Sequence, residues 1–166
     1  MLFLLDKIIK NKTEYIYEKI FNLIKNYYTE NLNEGFIKNI LDDNKNKIIF
    51  YNIDCKMNKY NITSLLIYHK AYYKGINRYY ILLLGTHKDV RNIGYGKLLL
   101  DEFIIFLKNK DSNKNKIIYL NSINESINFY INYGFCKSNE NIINNVFFNY
   151  EPYNKKNNYN ILSLKI

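Results

Sequence analysis

The alternation of apolar and polar positions predicts a strand, two helices and three further strands in the first half of the chain. The apolar run at residues 1–5 is too short for a signal-peptide core or a membrane span, and we interpret it as the first strand. Apolar side chains then recur at helical spacing over residues 13–28 and 33–41. Runs rich in Ile, Tyr and Leu, bounded by Asn, Lys or Gly as strands typically are, follow at residues 47–53, 62–73 and 78–86.

The second half of the chain predicts two more helices among three strands. Residues 97–108 are apolar over most of a helical circumference, which indicates a helix that packs on a sheet. Residues 117–120 are typical of a short buried strand. Two closing strands are predicted around residues 145–150 and 159–165.

The last predicted helix has recognisable end signals. Ser122 and Glu125 have the spacing of a capping box, and Gly134 follows Tyr133 as a helix-terminating glycine would. The complete order of elements is typical of one α/β domain over residues 1–166, built around a mixed sheet.

The composition limits the class of protein. A chain of 166 residues that is 48% hydrophobic can bury a core as a single domain. The net charge of +9 comes from scattered lysines without a dense basic helix, so we expect no nucleic-acid partner; the field would suit a polyphosphate cofactor or an acidic peptide. Cys55, Cys136 and two histidines support neither a disulfide framework nor a metal site, and a cytoplasmic protein is expected.

One turn has the chemistry of a phosphate site. Residues 91–96 read RNIGYG between a predicted strand and a predicted helix, where main-chain N–H groups lack partners and the helix dipole favours anions. Gly94 and Gly96 let a pyrophosphate approach the backbone, and Arg91 and Lys97 add positive charge. The turn is neither a Walker loop nor the Rossmann fingerprint, because GK[ST] and the third glycine are missing. A plain strand-to-helix turn is the alternative.

Two motifs resemble those of GNAT acetyltransferases. The cofactor motif of that superfamily is similar to YILLLGTHKDVRNIGYGKLLL at residues 80–100, and its second cofactor helix is similar to NESINFYINYGF at residues 124–135. The resemblance implies a GNAT fold with a mixed central sheet of about seven strands flanked by four helices. It also implies that the fourth and fifth strands splay apart and admit the pantetheine arm of acetyl-CoA. The implied activity is transfer of an acetyl group to a primary amine.

The resemblance also implies the cofactor contacts. Backbone groups near the end of the fourth strand pair with the pantetheine amides, amides of the glycine turn hold the pyrophosphate, and the second motif flanks the other side. The implied cofactor-binding residues are Leu84, Gly85, Thr86, Arg91, Asn92, Ile93, Gly94, Tyr95, Gly96, Lys97, Asn124, Ser126, Phe129 and Tyr130.

Within the superfamily, the second half of the chain is most similar to the catalytic subunits of protein N-terminal acetyltransferases of the NatE and NatF types. The likeness rests on YILLLG at 80–85, IYLN at 118–121, NESINFY at 124–130 and FFNYEP at 147–152. It implies the α-amine of a protein or peptide N-terminus as the acceptor, and an auxiliary subunit is a partner that this class allows. We expect no membrane attachment, because the membrane-binding tail of NatF-type enzymes does not follow Ile166.

The family pattern assigns catalytic roles to Tyr80, Asn121 and Tyr130. Tyr80 would activate the amine through ordered water, and Tyr130 would give a proton to the departing thiolate. Strand alternation predicts that Tyr80 shares a face with Leu82 and Leu84, of which one N–H would stabilise the carbonyl oxygen. The expected substrate contacts are Tyr28, Leu32, Leu82, Phe147 and Phe148.

Asn121 departs from the family, which has a histidine there. Asparagine can hold a water molecule but cannot act as a base near neutral pH. Either Tyr80 works alone with water, or His69 or His87 substitutes, or the activity is weak. Two other functions remain as alternatives: acetylation of a small amine such as an amino sugar phosphate, and an acetyl-CoA-binding subunit with degraded catalysis.

Overall fold

Helices and strands alternate along the chain largely as the hydrophobic pattern predicts. The computed structural model describes residues 2–5, 14–27, 34–52, 62–110, 115–138 and 160–166. Its strands are β1 (Leu2–Leu5), β2 (Asn46–Asn52), β3 (Ile62–Tyr73), β4 (Ile76–Thr86), β5 (Lys116–Ser122), β6 (Cys136–Lys137) and β7 (Asn160–Lys165). Its helices are α1 (Glu14–Tyr27), α2 (Glu34–Asp42), α3 (Tyr95–Lys110) and α4 (Asn124–Tyr133), with one 3₁₀ turn at Lys88–Val90.

The strands form one mixed sheet in the order β1-β2-β3-β4-β5-β7-β6. All neighbours pair antiparallel except β4 and β5, which are parallel. The seven strands and four α-helices in the described part of the chain confirm the predicted GNAT architecture.

The helices cover the sheet from both sides. α1 and α2 bury Ile20, Ile24, Ile37, Ile40 and Leu41 against one side, called here the α1/α2 face. α3 and α4 bury Leu99, Leu100, Phe103, Leu107 and Tyr130 against the other, the α3/α4 face. Each helix therefore shows an apolar stripe toward the sheet, as amphipathic periodicity requires.

An aromatic cluster fixes α3 on the α3/α4 face. The ring of Phe103 lies 4.8 Å from that of Tyr68 on β3 and 6.5 Å from that of Tyr79 on β4, centroid to centroid. Aromatic pairs of this kind contribute about 0.5–1.5 kcal/mol beyond the area they bury. The helix that begins at the glycine turn is thus anchored to the two strands beside it.

A β-bulge interrupts β4 at Leu82. Ile67 of β3 pairs with Leu83, but the next residue, Tyr68, pairs with Ile81, so β4 carries one extra residue. A bulge of this type bends its strand and strengthens the local twist.

The bulge changes which side chains share a face. Tyr80, Leu82 and Leu83 all pack on the α1/α2 face, whereas Leu84 packs on the α3/α4 face. The prediction that Tyr80 shares its face with Leu82 is confirmed, but the same prediction for Leu84 is wrong. The extra residue reverses the alternation that simple strand geometry assumes.

The predicted capping box is also wrong. The residue that precedes α4 is Ile123, which makes no side-chain cap, and the Ser122 hydroxyl donates instead to the Ile123 carbonyl oxygen at 2.9 Å. The predicted end of the helix is confirmed. Gly134 adopts a left-handed φ of +114° and its N–H donates to the carbonyl oxygen of Ile131 at 3.0 Å.

The closing part of the chain is described only in part. The strand predicted around residues 145–150 lies outside the described residues, and β6, which has only two residues, was not predicted. Among the helices that the structure describes, none combines the length and the apolar character that crossing a bilayer requires.

Candidate functional site

A gap opens in the sheet where β4 and β5 separate. The two strands pair from Asn77 with Lys116 as far as Ile81 with Leu120. Beyond that point β4 stays with β3 to its end, and β5 stays with β7. The separation begins at the bulge residue Leu82, so the bend in β4 and the loss of pairing coincide. This confirms the expected splay of the fourth and fifth strands.

The turn after β4 folds back on the end of that strand. The N–H of His87 donates to the carbonyl oxygen of Thr63 at 2.8 Å, and the N–H of Val90 donates to that of His87 at 3.0 Å. Arg91 Nε donates to the carbonyl oxygen of Thr86 at 3.3 Å. These bonds hold the start of α3 next to the last residue of β4.

Two glycines allow the close approach of this turn. Gly94 has a φ of +100°, which favours glycine, and its carbonyl oxygen accepts from the Leu98 N–H at 2.9 Å. A Cβ at Gly96 would lie 3.1 Å from Thr86 Oγ1, so even a methyl group would press on the end of β4. The first N–H groups of an α-helix have no acceptor within the helix and carry partial positive charge. We call this turn at the mouth of the gap the candidate anion cradle.

Charged side chains surround the cradle. Arg91 and Lys97 are exposed, and Lys97 Nζ lies 3.3 Å from Asp101 Oδ2 one turn along α3. An exposed pair of this spacing contributes only about 0.3–0.5 kcal/mol, so the lysine can turn to a stronger anion at little cost. Asn92 and Ile93 complete the exposed turn, and Tyr95 and Gly96 are half-buried.

Asp101 also links the two helices of the α3/α4 face, which sequence reasoning missed. The Tyr133 hydroxyl on α4 donates to Asp101 Oδ1 at 2.5 Å. Burial, followed by this hydrogen bond, raises the pKa of Tyr133 above its usual range, so the phenol keeps its proton. The spacing of Lys97 and Asp101 was readable as an i,i+4 pair, but the partner on α4 was not.

The predicted residues of α4 lie at three levels of burial. Tyr130 is buried between Phe129 and Phe135, with centroid distances of 5.0 and 5.6 Å and near-perpendicular rings. Ser126 is half-buried, whereas Asn124 and Phe129 are exposed. Asn124 Oδ1 accepts from Asn160 Nδ2 of β7 at 3.1 Å, which joins the start of α4 to the sheet.

On the α1/α2 face, Tyr80 and Asn121 lie on the two strands that separate. Tyr80 is 4% exposed and pairs with Tyr119 of β5, and Asn121 follows two positions later on the same face. The Asn121 Oδ1 atom is buried and has no hydrogen-bond partner among the residues that the structure describes. A buried acceptor without a donor costs about 1–3 kcal/mol. This atom is thus suited to a donor that arrives with a ligand or with water.

His69 lies directly opposite Tyr80 on β3, and Asn46 of β2 lies opposite His69. Asn46 Nδ2 donates to the carbonyl oxygen of Ile40 at 2.9 Å, which turns Asn46 Oδ1 toward His69 Nδ1 at 3.1 Å. Because that oxygen can only accept, Nδ1 carries the imidazole proton and Nε2 carries the lone pair. Burial, outweighing nearby Asp43, lowers the pKa of His69. The sequence carries no signal for this row, because strand register is not local.

His87 follows the last residue of β4, seven positions after Tyr80. Seven residues of extended strand span about 20 Å, too far for both groups to reach one amine. His87 Nδ1 instead accepts from the Asp89 N–H at 3.3 Å and caps the 3₁₀ turn. The position of His87 therefore favours His69 over His87 as the substitute for the missing histidine. The predicted substrate contacts Tyr28, Leu32, Phe147 and Phe148 lie outside the described residues, and Leu82 is at the bulge.

Comparison with known families and structures agrees with this geometry. The family described as acetyltransferase (GNAT) domain matches residues 24–156. No sequence among the curated proteins matches significantly.

Three solved structures share the fold over nearly the whole of both chains. Naa50 of Arabidopsis thaliana in complex with the bisubstrate analogue CoA-Ac-MVNAL has a TM-score of 0.62 and 17% identity, covering 99% of each chain. The NatC complex bound to Gag peptide and CoA has a TM-score of 0.64 and 19% identity over 99% of this chain and 98% of the other. Tetrahymena GCN5 has a TM-score of 0.65 and 13% identity over 100% of this chain and 96% of the other.

The Asn46–His69 contact makes a prediction for NMR. In the labelled protein, the His69 ring will show the Nδ1–H tautomer and a titration midpoint below 6.5, because burial disfavours its charged form. The chain has only two histidines, so His87→Gln assigns both sets of signals. An Nε2–H tautomer, or a midpoint at or above 6.5, would contradict the assignment.

Proposed function

The chain belongs to the GNAT acetyltransferase family, and from that premise we propose that its acceptor is the α-amine of a protein N-terminus. Membership makes it an N-acetyltransferase that uses acetyl-CoA. The observation that supports the acceptor is that Tyr80 of β4 and Asn121 of β5 lie on the same face beside the gap in the sheet, and that the buried Oδ1 of Asn121 has no hydrogen-bond partner within the described part of the chain. The NatE- and NatF-like motifs of the second half agree with it.

The residues of the gap fit coenzyme A. An extended pantetheine arm needs main-chain partners along its length, and β4 offers Leu84, Gly85 and Thr86 on the side where β5 no longer pairs with it. A pyrophosphate needs converging N–H groups and positive charge, and the turn from Arg91 to Lys97 supplies both. When bound, acetyl-CoA supplies the thioester that the amine attacks.

The α4 side of the gap would hold the cofactor from the other direction. We assign this role to Asn124, Ser126 and Phe129, which lie along α4 with two of the three exposed. Tyr130, buried beside them, would give its phenolic proton to the leaving sulfur.

On the α1/α2 face, Tyr80 and Asn121 would receive the amine. The Tyr80 hydroxyl and Asn121 Oδ1 would hold the amine or an ordered water between them, and the N–H of the bulge residue Leu82 would donate to the carbonyl oxygen as its charge develops. An α-amine has a pKa of about 8 and lysine one of about 10.4, so an α-amine needs less help to lose its proton. A site without a base at position 121 is therefore better suited to α-amines.

The comparisons support a peptide acceptor through two structural neighbours. The Naa50 structure contains a bisubstrate analogue, CoA-Ac-MVNAL, and the NatC complex contains Gag peptide and CoA. We extend this to the present chain as part of the proposal, with Tyr28, Leu32, Phe147 and Phe148 as peptide contacts. An auxiliary subunit, as in the NatC complex, is part of the same proposal.

The acceptor is tested with matched peptides. In the first series the α-amine is free and every lysine is acetylated, and the series includes peptides that begin with Met. In the second series the N-terminus is blocked and the lysine amine is free. At pH 7.5 we expect kcat/KM to favour the first series by about 100-fold, because the pKa difference of roughly 2.4 sets the fraction of neutral amine. Faster acetylation of amino sugar phosphates or polyamines would replace the proposal with a small-amine enzyme. Tight acetyl-CoA binding without turnover would indicate a regulatory subunit.

The cofactor cradle is tested at Gly96. Gly96→Glu should weaken acetyl-CoA binding by at least about 100-fold in calorimetry, because the side chain fills the space beside Thr86 Oγ1 and repels phosphate. Ile105→Glu, on an exposed position of the same helix, adds the same charge away from the turn and should keep the parent affinity within about twofold. Equal affinities for parent and Gly96→Glu, with both folded by circular dichroism, would remove the turn from the cofactor site.

The role of Tyr80 is tested against its neighbour. Tyr80→Phe should lower kcat by about 10- to 100-fold while the Kd for acetyl-CoA changes less than about threefold, because only the proton-handling hydroxyl is lost. Tyr79→Phe removes an equally buried hydroxyl from the opposite face of the same strand and should leave kcat within about twofold. If the two variants have the same kinetics, Tyr80 does not take part in the reaction.

A further inference from the structure

A buried row of side chains reaches the proposed amine site from the side of β3. Asn46, His69, Tyr80 and Tyr119 are successive partners across β2, β3, β4 and β5. Directly opposed residues of antiparallel strands have Cβ atoms about 4.5–5.5 Å apart and point to the same face. His69, which is 8% exposed, therefore lies next to Tyr80 on the α1/α2 face, on the neighbouring strand β3.

The hydrogen bonds of this row orient the imidazole for proton uptake. The Ile40 carbonyl oxygen fixes the Asn46 amide, and Asn46 Oδ1 accepts from Nδ1–H of His69. Nε2 is consequently the nitrogen that can take a proton. The resulting imidazolium would keep its Nδ1–H donated to Asn46, so uptake would break no hydrogen bond on that side.

We propose that His69 accepts, through the Tyr80 hydroxyl, the proton that the amine loses during acetyl transfer. This inference rests on the proposed function of Tyr80. It makes His69 a positioning residue that acts through another group, and it assigns to β3 the basic function that Asn121 cannot perform on β5.

The proposed step conserves protons and electrons. The lone pair of the amine nitrogen forms the bond to the acetyl carbon, and the carbon–sulfur electron pair leaves with sulfur. One proton passes from the nitrogen to the Tyr80 oxygen while the hydroxyl proton of Tyr80 passes to His69 Nε2. His69 then returns its proton to solvent. Sulfur takes a proton from solvent directly, or from Tyr130, which regains one from solvent.

Charged groups around the row set the pH range of this relay. The turn after α2 supplies Asp43, which favours the imidazolium, and Lys45, which opposes it. Arg78 of β4 is buried on the same face two residues before Tyr80. Tyr17 of α1, which packs against the core of the same face, hydrogen-bonds to Asp42 of α2.

The test is the pH dependence of kcat/KM for the preferred amine, measured at saturating acetyl-CoA. For the parent, the logarithmic slope should be one below the pKa of the amine and should increase to two below the midpoint of His69, because both groups must be unprotonated. His69→Gln should keep a slope of one throughout and should lose about 10- to 100-fold in kcat, with KM for the peptide within about threefold.

A second variant separates the relay from a merely structural role. Asn46→Asp places a carboxylate against Nδ1–H and should raise the pKa of His69. The NMR midpoint of His69, which needs no turnover, and the bend in the kinetic profile should move upward together. If the NMR midpoint moves and the bend does not, or if folded His69→Gln retains the parent profile, the relay is wrong while peptide acetylation by the parent still upholds the proposed function.

The N-terminal acceptor can also be wrong while the His69 relay is correct. Should the parent acetylate a small amine and no peptide, the N-terminal acceptor is wrong, and the same profiles with that amine still decide the relay. Should His69→Gln lose cooperative unfolding, the Asn46→Asp comparison alone decides it. A parent that acetylates no amine would overturn both.

Discussion

The extra residue in β4 is the constraint on which the site depends. Leu82, the bulge residue, is the first residue of β4 beyond the parallel pairing with β5, and from there to its end β4 pairs only with β3. The bulge bends β4 where the parallel pairing ends, and it also reverses the side-chain alternation. Tyr80 and Leu82 thereby stay on the α1/α2 face, while Leu84 joins the core beneath α3. One irregularity thus marks the start of the gap and decides which side chains face each side of the sheet beside it.

Under the proposed function, the two faces of the sheet carry different parts of the chemistry. On the α3/α4 face, Phe103 packs on β3 and β4, and Asp101 joins α3 to α4, so the first turn of α3 is held rigidly at the mouth of the gap. Anion binding by main-chain N–H groups requires this rigidity, because their value lies in being oriented before the ligand arrives. On the α1/α2 face, buried polar side chains occupy adjacent strands. A cofactor that passes through the gap would present its acyl group to that face.

Local sequence patterns predicted the helices and strands of this fold well. They did not predict features that depend on pairing between distant strands. Periodicity located β3 without error and the ends of α3 within two residues, and the glycine turn was evident because Gly94 and Gly96 have local reasons to be glycine. The bulge at Leu82 and the row through His69 depend on strand register, which no short stretch of sequence contains. The capping box failed for a related reason: the Ser122 hydroxyl found a nearer acceptor than the helix N–H groups. Side-chain competition of that kind is decided in three dimensions.

The absence of histidine at position 121 has a consequence for selectivity under the proposed function. A buried imidazole whose pKa lies below the ordinary value is a weak base, and it can take a proton efficiently only from an amine that is already partly neutral. An α-amine near pKa 8 meets that condition at physiological pH, whereas a lysine near 10.4 is neutral only about one time in a thousand. The site would then discriminate between α-amines and lysine amines by the pKa of the amine, before any contact with the rest of the peptide contributes. A stronger base in place of Asn121 would relax this selectivity, so under the two proposals Asn121 restricts the site to amines of lower pKa.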